Sequence, residues 1–301
     1  MSSQAPETNN TTQSPSSALN LKTLAVLVGI AAITVAFFTP LRNSLPTFFS
    51  KSTPAVQRNM SSATNNSLKI VKRPCHQRGH ADHGWLYTFH TFSFASYYDP
   101  RHESFGPLRV INEDRVEKGT GFGTHSHAEF LIWSYIVNGE LEHKDSMGNL
   151  ENLKHVHFLQ IWAKPYTRGL QPSYVTRKFT DEMKENKLVR IMEDLKRHSG
   201  KDAEDQPIPL HADLSMDASI LAPGKKVVHD IVAEGKRNVF VHLIMGGRTQ
   251  PKTGGAKIKV GDVELGEGDG AYITNATGPG KIEVESVGDK PAEFLLFDMG
   301  L

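Results

Sequence analysis

The distribution of apolar positions divides the chain into three stretches. Residues 1–20, within a tail over 1–22, are mostly Ser, Thr, Asn, Gln, Pro and Ala in low-complexity order, a composition that cannot bury enough apolar surface to offset its chain entropy. A disordered tail is predicted there. The run LAVLVGIAAITVAFF from Leu24 to Phe38 is uncharged, and with Thr23 and Thr39-Pro40-Leu41 it reaches about 18 residues, near the lower limit for a membrane span. This predicts a single apolar helix over residues 23–41, acting as a transmembrane or targeting element. Between Thr8 and Ala81 there is no Asp or Glu, while Lys22, Arg42, Lys51, Arg58, Lys69, Lys72, Arg73 and Arg78 are basic, a composition of the mitochondrial-presequence type. The expected location is therefore membrane-anchored or mitochondrial, with residues 42–74 as a flexible basic linker. The alternative is cytoplasm or nucleus, if translation starts at Met60.

Beyond residue 75 the pattern changes to short apolar or alternating runs separated by Gly, Pro, Asn and Asp, which predicts an all-β sandwich or barrel. Strand-like runs include WLYTFHTFSFASYY (85–98), LRVI (108–111), EFLIWSYIV (129–137) and VHFLQIWA (156–163). A second set follows in the C-terminal third: KKVVHDIV, NVFVHLIM, AKIKV, DVEL, AYIT, KIEVESV and EFLLFDM. Between the two sets, residues 180–198 hold good helix formers behind a capping Thr180 but with poor apolar spacing, so a mixed linker with a short helix is expected. The charged stretch from Ser199 to Pro209 marks the seam. Two β domains are predicted, 75–198 and 199–301, in keeping with a length of 301 residues.

A net charge of +1 gives no field that would favour a polyphosphate, so direct nucleic-acid binding is not expected. With Cys75 as the one cysteine, no internal disulfide can form and any metal site must use histidine and carboxylate. The pair His125 and His127 offers that chemistry, because residues two apart on a strand share a face and can present two imidazoles to one metal. Iron, manganese, nickel and copper all suit imidazole with carboxylate. Glu129 continues the same parity and is a candidate substitute ligand. His143, His155 and His157 follow, and His157, inside VHFLQIW, reads as a core or interface histidine. In the C-terminal unit His211, His229 and His242 form no His-x-His or His-x-Glu pattern, which predicts a metal-free domain.

The Gly-bracketed His125-Ser126-His127 is similar to the first cupin motif, and the wider run resembles the pirin family. The matching stretches are HTFSFASYYDP (90–100), FGPLRVINEDRV (105–116), GFGTHSHAEFLIWSYIVNGELEHKDSMGN (121–149) and VHFLQIWAKPYTRGLQPSY (156–174). The resemblance implies a bicupin, two stacked RmlC-like β-barrels, with a mononuclear iron site in the first. It implies quercetin 2,3-dioxygenase-type activity, in which the metal binds the oxygens of a flavonol and activates it toward O2. The alternatives it implies are a non-enzymatic metal- and redox-sensitive cofactor of a transcription-factor partner, or a metal-free binding scaffold. Two departures bear on the metal. The family adds a later His-x-Glu to the His-x-His, but here only LENLKH separates Asn149 from Val156, about forty residues short, or two or three strands. The carboxylate that the cupin motif places after its histidines falls at Leu131. Either the first barrel rearranges or the chain is a truncated form, and weak or no stoichiometric iron is expected.

Overall fold

The structure is a computed structural model that describes residues 24–28, 68–122, 129–140, 155–200, 203, 206–231, 235–247 and 254–301. In chain order its strands are β1 (Leu24–Val28), β2 (Lys69–Arg73), β3 (Gly79–Asp82), β4 (Leu86–His90), β5 (Leu108–Val116), β6 (Leu131–Asn138), β7 (Val156–Ala163), β8 (Ser173–Arg177) and β9 (Val189–Asp194). They continue as β10 (Ile208–Leu210), β11 (Leu214–Leu221), β12 (Lys226–Asp230), β13 (Gly235–Leu243), β14 (Lys257–Val260), β15 (Val263–Gly266), β16 (Gly270–Gly278), β17 (Lys281–Ser286) and β18 (Ala292–Met299). The single α-helix among the described residues, α1 (Asp181–Lys184), is one turn long. Its N-cap is Thr180, whose Oγ1 accepts the Met183 N–H at 3.4 Å. The fold is thus all-β, and the strand-like runs of the sequence become ladders because their β-branched and aromatic residues suit a pleated surface covered by neighbours.

Three sheets form. The first has the order β3-β4-β5-β7-β6-β1-β8, the second β10-β9-β11-β18-β13-β16-β2, and a four-stranded sheet has the order β12-β17-β14-β15. The two larger sheets stack face to face. Alternation along β6 and β7 sends Leu131, Trp133, Tyr135, Leu159 and Ile161 into a core shared with Met216, Ala218, Phe240, Leu295 and Phe297 of the second sheet. The other face of the second sheet packs on the four-stranded sheet through Val239, Val241, Ile258, Ile273 and Val284. These two sheets, which take in β2 and β9 from earlier in the chain, make the C-terminal unit. Ile136, Val156 and Phe158 point the opposite way from the first sheet, where among the described residues they meet only Leu86, Val116, Trp85 and Phe122. Among the described residues the first unit therefore has one large sheet and a small outer cluster. Gly139, at the end of β6, has φ +89° and lies so close to the His155 carbonyl that a Cβ there would overlap it.

Three sequence expectations are corrected or refined. The apolar segment was expected to be one helix over residues 23–41 and to anchor the chain in a membrane or address it to mitochondria. Instead Leu24–Val28 is a strand, paired antiparallel to β8 from Leu24↔Arg177 to Val28↔Ser173 and to β6 at Ala25↔Ser134. Among the described residues no helix is long and apolar enough to cross a membrane. The physical reason is that Leu and Val at this density serve a strand as well as a helix, and the edge of β6 offers backbone partners that an isolated segment lacks. The second refinement concerns residues 180–198, where the helix stops after one turn and Val189–Asp194 pairs with β11 and β10. Third, the run from Trp85 to Tyr98 forms a strand only as far as His90. The remainder of the N-terminal tail and basic linker lies outside the described residues up to residue 67.

Candidate functional site

His125 and His127 lie outside the described residues, as does His143. On their N-terminal side Phe122 packs edge-on against Trp85, ring centroids 5.3 Å apart. On their C-terminal side β6 begins only at Leu131, and Glu129 has φ +55°. Glu129 thus stands outside the regular alternation of β6. The Glu129 side chain is half exposed, with a carboxylate oxygen 3.8 Å from Arg168 Nε. Among the described residues no three His, Cys, Asp or Glu side chains stand close enough to hold a metal ion.

The densest buried polar cluster is centred on Glu113, where the strand β5 carries the run Asn112-Glu113-Asp114-Arg115 wholly inside the molecule. The register sets Glu113 opposite Phe89 of β4 and Leu159 of β7, on the face that looks to the second sheet. Glu113 Oε1 accepts from His157 Nε2 at 3.0 Å and from the Met245 backbone N–H at 2.8 Å. Its Oε2 accepts from His242 Nε2 at 3.0 Å and Arg78 Nη1 at 3.3 Å. His157 and Arg78 come from the first unit, His242 and Met245 from the second, so one carboxylate ties the two together.

The electrostatics follow from burial and partners. Burial alone would raise the Glu113 pKa, but the hydrogen bonds from His157 and His242 outweigh it and hold the carboxyl well below its usual range. Burial in turn pushes both imidazoles down, against the pull of Glu113, so each is a neutral donor to an ionised acceptor at neutral pH. The neighbouring Asp114 faces the outer cluster, where burial raises its pKa to about 7 despite a hydrogen bond from Thr88. Arg115 turns back to the seam and donates to the carbonyls of Met245 at 3.3 Å, Gly246 at 3.0 Å and Gly247 at 3.0 Å.

Two further clusters sit in the C-terminal half. His229 is held between Asp298, at 2.9 Å from Nε2, and Asp217, at 3.2 Å from Nδ1. Burial would lower its pKa, but the two carboxylates raise it. Lys184, buried on α1, donates to Tyr135 Oη at 2.8 Å and to Glu293 Oε1 at 3.0 Å. Glu293 lines a cavity of about 240 Å³ between the two units, together with His157, Met245 and Glu267. A larger cavity of about 410 Å³ opens at the end of β5 and is lined by Asp82, Tyr87, Arg115, Glu117 and His155.

Sequence reasoning took His157 as a core or interface histidine, in keeping with its buried place beside Glu113, and missed the roles of Glu113 and His242. The available signal was the run NEDR inside an otherwise apolar strand, since consecutive charges there must find partners on both faces.

Comparison with known proteins adds the following. The Pirin family model matches residues 71–163, and the model of the quercetinase C-terminal cupin domain matches residues 199–299. The chain is 34% identical over 254 residues to quercetin 2,3-dioxygenase of Escherichia coli K12, covering 76% of this chain and 98% of that protein. It is 30% identical over 227 residues to the pirin-like protein of Caulobacter vibrioides, covering 68% of this chain and 90% of that one. Among solved structures, Escherichia coli YhhW superposes with a TM-score of 0.63 at 30% identity, over 77% of this chain and 98% of that chain. The same bacterial pirin in complex with nickel(II) gives 0.62 at 30% identity, over 77% of this chain and 99% of that chain. An Acinetobacter baumannii quercetin 2,3-dioxygenase, at 14% identity and a TM-score of 0.52 over 79% of this chain and 80% of that one, shares the fold.

Proposed function

The chain belongs to the pirin family, and from that premise we propose that it binds a flavonol of the quercetin class and a first-row divalent metal, iron, through His125 and His127. The observation that carries the reading is the match to a quercetin 2,3-dioxygenase along 98% of that protein, together with the intact His-x-His. The nickel complex of a relative at 30% identity supports a metal at the corresponding unit. Among the described residues the donor set is incomplete, however. Two imidazoles make half of a four-ligand site, the described residues supply no third ligand, and the Glu129 carboxylate lies at the surface, 3.8 Å from Arg168 Nε. Metal is therefore held weakly, and no reaction step is assigned to it.

The test is O2-dependent loss of quercetin absorbance after iron loading. Slow turnover that disappears in His125→Ala is the expected outcome, and an iron-replete chain without turnover would overturn the dioxygenase part. The missing third ligand favours a second reading, a non-enzymatic binding protein that resembles the pirins acting as cofactors of transcription factors. Quercetin binding without oxygen consumption, in a chain that retains no metal, would support it.

A further inference from the structure

Where the two units meet, the polar cluster around Glu113 backs onto the cavity of about 240 Å³. The link between them is His157, whose side chain is 3% exposed and whose ring lines that cavity. Its Nε2 donates to Glu113 Oε1 at 3.0 Å. Burial keeps the imidazole neutral, and an ionised carboxylate only accepts, so the single ring proton is fixed on Nε2. Nδ1 is left as a lone pair that no protein group meets, on the ring that opens to the cavity. A donor for it can come only from what enters there.

Two carboxylates share the lining, and their charges are balanced differently. Glu267 Oε1 accepts the N–H groups of Gly254 at 2.7 Å and Ala256 at 3.1 Å, and Oε2 accepts that of Gly246 at 2.8 Å. These neutral donors hold the side chain in place. No cationic side chain among the described residues pairs with it, although Glu267 is only 8% exposed. Glu293, by contrast, has Lys184 Nζ 3.0 Å from its Oε1. The uncompensated charge of the cavity therefore sits at Glu267, and with the imidazole lone pair it calls for a donor that carries positive charge. A bare metal ion does not fit, because among the described residues no three ligating side chains stand close enough to hold one. The walls set the size. Val137, Ile244 and Pro291 are apolar, and the volume lies below the range of drug-sized ligands, which excludes a polycyclic aromatic and admits a short stem.

We propose that this seam cavity is a binding site for a small primary ammonium, an alkylamine with a short apolar stem. One N–H of the ammonium donates to His157 Nδ1, its charge faces Glu267, and the stem lies against Val137, Ile244 and Pro291. The site stands apart from the metal and flavonol reading, since none of its residues belongs to the His-x-His. Val137 and His157 come from the first unit and Ile244, Glu267 and Pro291 from the second, so a bound ammonium bridges the two and stabilises the seam.

The experiment is titration of butylammonium into the full chain at neutral pH, followed by calorimetry and by the resonance of isotope-labelled His157 Nδ1. Butanol, tetramethylammonium and butyrate serve as comparison probes that lack the charge, the N–H donor and the positive sign in turn. The expected result is saturable binding of butylammonium that moves the Nδ1 resonance as a lone pair gaining a hydrogen bond does, with each comparison probe at least tenfold weaker. Glu267→Gln weakens butylammonium at least tenfold, and Val137→Phe, which fills the cavity with its larger ring, abolishes binding. If either variant fails to fold, the comparison of probes on the wild-type chain decides. A comparison probe within tenfold of butylammonium, an unmoved Nδ1 resonance, no saturable binding, or a folded Glu267→Gln chain with less than a tenfold loss would overturn the site.

Discussion

Glu113 keeps a negative charge at the centre of the molecule because four donors from both units converge on its two oxygens. Removing that charge would strand the buried Arg78 guanidinium, which pairs with it at 3.3 Å. Glu113→Gln is therefore expected to cost about 3–5 kcal/mol, as for breaking a buried ion pair from one side. Urea unfolding measures it, and a loss below about 1 kcal/mol would mean that the cluster does not hold the seam. Asp114 gives a pH signature of its own. Its folded pKa, about 7, lies above that of an unfolded Asp, so its contribution is fully present below about pH 4 and is lost as pH rises through 7. His157 and His242 act in the opposite sense. Their pKa values are lowered on folding, so their contribution is present above about pH 6.5 and is lost on acidification. Subtracting the stability of Asp114→Asn from that of the wild type isolates the Asp114 part, and the difference should fall steadily between about pH 4 and 7. A flat difference would contradict the assignment. At this scale the sequence was partly legible. His157 could be read from its apolar neighbours, whereas its bond to Glu113 and the arrival of His242 from 129 positions away depend on sheet stacking that no local pattern encodes.

Among elements, β7 was legible to the residue, since VHFLQIWA is bounded by turns and alternates toward two cores. Central strands such as β6, β13 and β18 were nearly as clear, because their apolar runs are too long for loops and too rich in β-branched or aromatic residues for helices. The errors fall where local propensity and sheet pairing disagree. Val189–Asp194 sits among good helix formers, yet β11 and β10 supply ladder partners on both of its edges. Leu24–Val28 reads as membrane helix from hydrophobicity alone, and its strand follows from the ladder partners that β6 and β8 supply. The backbone pairing of β1 makes a direct prediction. Val26 pairs with Val175, and Val26→Pro removes its N–H and disturbs that ladder. Amide exchange in Ser173–Arg177 should then speed up, while Val156–Ala163, flanked by β5 and β6, keeps its protection. Equal exchange in both variants would show that β1 does not close this edge.

At the scale of the whole molecule the two units are unequal. The C-terminal cupin has its large sheet covered on both faces, one by the four-stranded sheet and one by the first unit. Among the described residues the first unit has one large sheet and a small outer cluster. Stability and metal affinity should therefore come apart. The seam around Glu113 is expected to hold the fold without metal, while a site of the proposed kind, with His125 and His127 as its ligands, is expected to bind metal weakly, because each ligand fewer removes both a donor and part of the charge balance. The most direct test of this account is elemental analysis of the full chain, loaded with iron or nickel and then desalted. The predicted result is well below one metal atom per chain, falling to background in His125→Ala. One tightly held atom per chain, retained in that variant, would contradict it.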